Sequence, residues 1–241
     1  MVFGLFSKEK ALKKTIDRAT NTVTQSSDRW AAMEKLRDDG SDEALFALCR
    51  RFSFSYDKTI EDQQEKDWTV ASLVSLGEAA LGPLRRYMKS AKNLGYPLQI
   101  LGQLTTQERA LEVIDEILED EEPGYVRDPK RRIDIIEWLG GWTATPKDVV
   151  SRVLPYVEDY DENVRFKSIE TISLKPEASA AETVCRAMVR EDEESQRFQV
   201  RCAELLSEQG WSIETHKSEV KNLLPSILSK FSLKGDTLQA N

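Results

Sequence analysis

The chain has 241 residues, 32% of them charged and 40% hydrophobic, with a formal net charge of −8. That length is enough for one sizeable core or one continuous array. The acidic surplus repels phosphate backbones and argues against general nucleic-acid binding, and no stretch reaches the ~18 apolar residues of a membrane span.

The N-terminus reads MVFGLF and then SKEKALKK. The apolar run is too short for a secretory signal, and its positive charge comes after it instead of preceding it. Residues 1–26 are read as an N-terminal segment and helix, with the apolar start packing on the first helix. A weak membrane or partner anchor is the alternative, with Phe3, Leu5 and Phe6 inserting and Lys8, Lys10, Lys13 and Lys14 on the polar side.

From there the pattern is helix after helix, and no alternating Val, Ile and Thr run marks a strand. The segment "SDRWAAMEKLRDDG" (27–40) carries one helical pattern, and others fall near 42–54, 78–89, 106–119, 147–157, 178–190 and 217–231. Leu36, Leu76, Leu101, Leu139, Ile172 and Leu206 each end an apolar helical row, spaced unevenly but about 34 residues apart on average. Trp68, Ser72 and Leu76 form one such row, Val164, Ser168 and Ile172 another, and Phe198, Cys202 and Leu206 a third. The small middle residue lets a neighbouring helix approach closely. "LGPL" (81–84), "VLPY" (153–156) and "LLPSI" (223–227) place a proline after a leucine pattern, where it predicts a bend. The closing polar stretch, 232–241, is expected to be a flexible tail.

"SLGEAALGPLRRYM" (75–88) and "DENVRFKSIETI" (161–172) resemble HEAT repeats, in particular the bacterial type akin to phycobilisome-lyase HEAT-like repeats. The resemblance extends over residues 27–231 and is poor at 91–103, where Gly95 and Pro97 stand in the second helix. It implies an all-α fold, a right-handed α-solenoid (alpha-alpha superhelix) of about six helix pairs. It also implies a non-catalytic scaffold or adaptor binding another protein through its concave face or an acidic edge. The alternative on the same scaffold is an enzyme or nucleic-acid-processing module, DNA glycosylase-like or bilin lyase-like.

"DYDENVRFKSIE" (159–170) imitates a calcium loop, with Asp159, Asp161, Asn163 and Glu170 at positions 1, 3, 5 and 12. Such a loop needs glycine at its sixth position, and Val164 stands there. The segment reads instead as a helix start with Asp161 as N-cap. No cofactor or metal is expected. Cys49, Cys185 and Cys202 have no paired spacing and suit buried thiols in a reducing compartment, the cytoplasm. The lone His216 has no evident catalytic partner. "RDPKRR" (127–132) comes after the acidic 119–124 and reads as a neutralised helix start.

The acids "EDEE" (119–122), "EDYDE" (158–162) and "EDEE" (191–194), with the run 56–65, fall at one kind of turn in each pair. Taking Ala32, Ile135, Ser168 and Cys202 as inward points places residues two before and two after on the opposite side. That face then carries Trp30 and Glu34, Ile133 and Glu137, Phe166 and Glu170, and Val200 and Glu204. An apolar residue and then a glutamate suit a basic amphipathic segment of a protein partner.

Overall fold

A computed structural model describes the backbone of residues 2–241 and the side chains of residues 8–241. Phe3, Leu5 and Phe6 therefore lie outside the described side chains. The chain is predominantly α-helical and divides into two compact units, residues 1–117 and 118–241.

In the first unit, α1 (Val2–Thr20), α3 (Asp42–Cys49), α5 (Leu81–Met88) and α7 (Gln107–Leu118, its last residue just past the boundary) alternate in sequence with α2 (Ser26–Asp39), α4 (Thr59–Ser75) and α6 (Gly95–Leu104). α3 packs against both α1 and α5, while α4 packs against both α2 and α6, so the odd and even helices form two rows. Ion pairs from Arg85 to Glu116 and from Arg109 to Glu78 extend the first row from α5 to α7. Met33, Leu36, Leu45, Leu48, Leu73, Leu84 and Leu98 fill the space between the rows. Gly40 ends α2 with a left-handed φ of 65°, returning its N–H to Leu36 O at 3.2 Å.

The second unit repeats the plan. α8 (Lys130–Gly141), α10 (Glu162–Leu174) and α12 (Gln196–Glu208) form one row, and α9 (Pro146–Val153), α11 (Ala181–Met188) and α13 (Lys217–Leu223) alternate with them. α8 and α10 approach most intimately. A Cβ on Gly140 would lie 3.0 Å from Thr171 Oγ1, and that hydroxyl donates to Ile136 O at 3.0 Å. Ser168 is fully buried and bonds back to Val164 O.

Three expectations are corrected. The prolines do not bend continuous helices. Gly77–Ala80 is a 3₁₀ turn leading into α5 ahead of Pro83, Leu154–Glu158 is a 3₁₀ segment after α9 at Pro155, and α13 ends before Pro225. At Pro155 and Pro225 a missing N–H and a ring clash with the carbonyl four residues back end the α-pattern, whereas Pro83 falls in the first turn of α5, where a helix tolerates proline. The helix expected at 217–231 is accordingly short. The tail expected at 232–241 is an antiparallel hairpin, β1 (Phe231–Lys234) and β2 (Thr237–Ala240). Gly235, at φ 62°, supplies the positive φ that a two-residue hairpin turn needs. Leu238 is buried, and β2 packs on α12, covering the end of that row.

Candidate binding face

The calcium-like segment is built as a helix start. Asp161 Oδ1 accepts from the N–H groups of Asn163 and Val164, at 2.9 and 3.2 Å, capping α10. Asp159 is fully buried. One of its oxygens accepts from Arg132 Nη1 at 2.9 Å and from Gly124 N at 3.3 Å; the other accepts from Asp161 N at 2.8 Å. No group of three or more His, Cys, Asp and Glu suited to a metal occurs among the described residues.

This arrangement recurs. Arg165 reaches from α10 to Glu193 at 2.8 Å and also donates to Asp159 O and Tyr160 O. Glu193 Oε1 also accepts from Ser195 N at 2.9 Å, as Asp159 does from Asp161. Arg132 and Arg165 each stand three residues before the buried middle residue of their helix, and each binds an acid 27 or 28 residues further on. Gln199 holds the corresponding place in α12 and donates to Met188 O.

In the first unit Arg29 occupies that place in α2. Its Nε lies 2.9 Å from Glu65, which also accepts from Arg51 at 2.7 Å. Arg51 continues to Asp62, and Asp62 to Lys66 at 2.7 Å. The Tyr56 ring lies beneath Arg29, 4.2 Å from the guanidinium carbon. Burial alone pushes the Glu65 carboxyl up, but the hydrogen bonds from Arg29 and Arg51 outweigh it and hold the group below its ordinary value. Several turn acids therefore join one helix pair to the next. The sequence pattern of acids carried the signal, but only the recurring arginine three places before the buried middle residue identifies the partner.

The eight residues singled out from the sequence fall in both units. Trp30 and Glu34 lie on α2, partly exposed, with the Trp30 ring 5.6 Å from Trp68 of α4. Ile133 and Glu137, Phe166 and Glu170, and Val200 and Glu204 stand on α8, α10 and α12 of the second unit, all partly or fully exposed. Their inward counterparts Ile135, Ser168 and Cys202 are fully buried.

The glutamates are not bare. Lys167 Nζ lies 2.8 Å from both Glu137 and Glu170, and these two carboxylates raise its pKa. Arg201 lies 3.1 Å from Glu204 and 3.7 Å from Glu208. Phe166 lies under the Arg197 guanidinium at 4.7 Å, and Arg197 is itself paired with Glu162. Between α8, α10 and α12 a groove of about 470 Å³ is lined by Glu137, Lys167, Glu170, Leu174, Arg201 and Glu208, with Leu174 largely exposed.

The three thiols are free and buried; burial pushes Cys49 and Cys185 up to about 12 and Cys202 well above its ordinary value. His216 stands 3.0 Å from Glu182 at the start of α13. No helix among the described residues is long and apolar enough to cross a membrane. Comparison of the chain with protein-family models, curated proteins and solved structures finds no match.

Proposed function

We propose that the chain is a non-catalytic helical-repeat adaptor, a HEAT-like solenoid, that binds another protein through the exposed face of α8, α10 and α12. The observation that carries this reading is the repeated pair. Three neighbouring helices each present an apolar residue and then a glutamate, all of them at least partly exposed. A helical-repeat scaffold offers extended surfaces of this kind and needs no catalytic centre.

Charge narrows the partner. Four glutamates, Glu137, Glu170, Glu204 and Glu208, face two cations, Lys167 and Arg201. The net acidity left over favours a basic amphipathic helix, its apolar side on Ile133, Phe166, Val200 and Leu174. Changing Glu137, Glu170 and Glu204 to Gln removes that surplus without setting new cations against Lys167 and Arg201. The triple variant should melt within a few degrees of wild type and retain at most about a fifth of the co-purifying partner, a loss of about 1 kcal/mol. Retention at the wild-type level, insensitive to salt, contradicts the proposal.

A further inference from the structure

The C-terminal ends of α3 and α5 border a cleft of about 390 Å³ in the first unit. Its floor is aromatic. Phe52 and Tyr87 are buried with ring centroids 6.5 Å apart, and Phe46 forms a third wall. Ser53 Oγ and Tyr87 OH lie 3.0 Å apart at one side.

The rim carries Arg50, Lys92 and Asn93, all exposed, and no carboxylate residue lines the cleft. Nearby arginines are satisfied. Arg51 is buried against Glu65 and Asp62, and Arg86 pairs with Asp42 and Glu43. Arg50 and Lys92 have no ion-pair partner among the described residues. In a chain with a net charge of −8, two unpaired cations over one aromatic floor are a local reversal of sign. Asn93 Oδ1 is occupied by Gly95 N at 2.9 Å, which directs its amide NH₂ elsewhere as a donor.

Two cations and no carboxylate on the lining favour an anionic ligand, and the aromatic floor favours one with a flat apolar body over a bare inorganic ion. The volume falls near the lower end of the roughly 300–1,000 Å³ typical of small-molecule pockets. We propose that this cleft binds a small planar carboxylate, with its carboxyl group between Arg50 and Lys92 and its flat apolar body on Phe46, Phe52 and Tyr87. The site lies in the first unit and does not depend on the face of α8, α10 and α12.

The test is titration of the full chain with 2-naphthoate, 2-naphthamide and inorganic phosphate, monitored by two-dimensional amide NMR. Naphthoate should bind at least tenfold more tightly than naphthamide and shift signals within residues 46–93. Phosphate alone should bind at least tenfold more weakly than naphthoate. Lys92→Gln, at an exposed position, should weaken naphthoate at least fivefold, whereas Lys175→Gln on the second unit should leave it unchanged. Equal binding of acid and amide overturns the proposal, because the cations then select nothing. So does phosphate binding as tightly as naphthoate, or no shift in this region at about 1 mM ligand. The acid-to-amide ratio is read on the unaltered chain, so it decides the matter even if a variant fails to fold.

Discussion

Glu65 is the residue whose loss should be felt most. It is wholly buried between two guanidinium groups, and without it Arg29 would be left as an uncompensated buried charge, while Arg51 would keep only the Asp62 carboxylate. Breaking such a pair typically costs about 3–5 kcal/mol, far more than an exposed ion pair contributes. Glu65→Gln keeps the shape and removes the charge, so urea unfolding at neutral pH should show a loss in that range. The pH dependence has a definite sign. Glu65, Glu158 and Glu162 all have folded-state pKa values below the ordinary 4.5. Their stabilisation is complete above the unfolded-state value and is lost as pH falls through the folded values. The wild-type melting temperature should hold from about pH 7 to about pH 5 and fall below about pH 4, with a shallower fall in Glu65→Gln. Equal slopes for the two proteins would show that Glu65 is not charged in the fold.

At the scale of elements, the close contact of α8 with α10 comes from small residues at matched places. Gly140 leaves little room for a Cβ, which would lie 3.0 Å from Thr171 Oγ1, and Ser168 is sealed in the same helix as Thr171. Ser168→Leu puts a larger side chain where none fits, and should cost roughly 1–3 kcal/mol by overpacking. A melting temperature equal to wild type would place that side chain at the surface. The Val164-Ser168-Ile172 row made this contact legible from sequence, because a helix period fixes which positions turn inward. The short 3₁₀ segments were less legible. A proline signals interruption, but whether the chain bends, stops or tightens depends on the packing around it. The hairpin at Phe231–Ala240 was hard to read because its apolar residues are few: Phe231, Leu233 and Leu238. Gly235-Asp236 was the available turn signal, and packing of β2 on α12 supplies the burial that an isolated hairpin lacks.

Across the whole molecule, each unit is built from alternating rows of helices tied together by an arginine of one pair and an acid of the next. This gives part of the acidic turns an internal role, so the exposed face of α8, α10 and α12 is the stronger binding candidate. Its apolar-glutamate pairs were readable from spacing alone. Their neutralisation by Lys167 and Arg201 was not, because a lysine can turn toward either side of its helix until its neighbours are placed. The most direct measurement is photo-crosslinking in the cells of origin, with p-benzoylphenylalanine at Phe166 or Val200 on the face and at exposed Ser151 on α9. Binding through this face predicts one discrete heavier adduct from Phe166 and Val200, absent from Ser151. No adduct from the face, or the same adducts from all three positions, would contradict it.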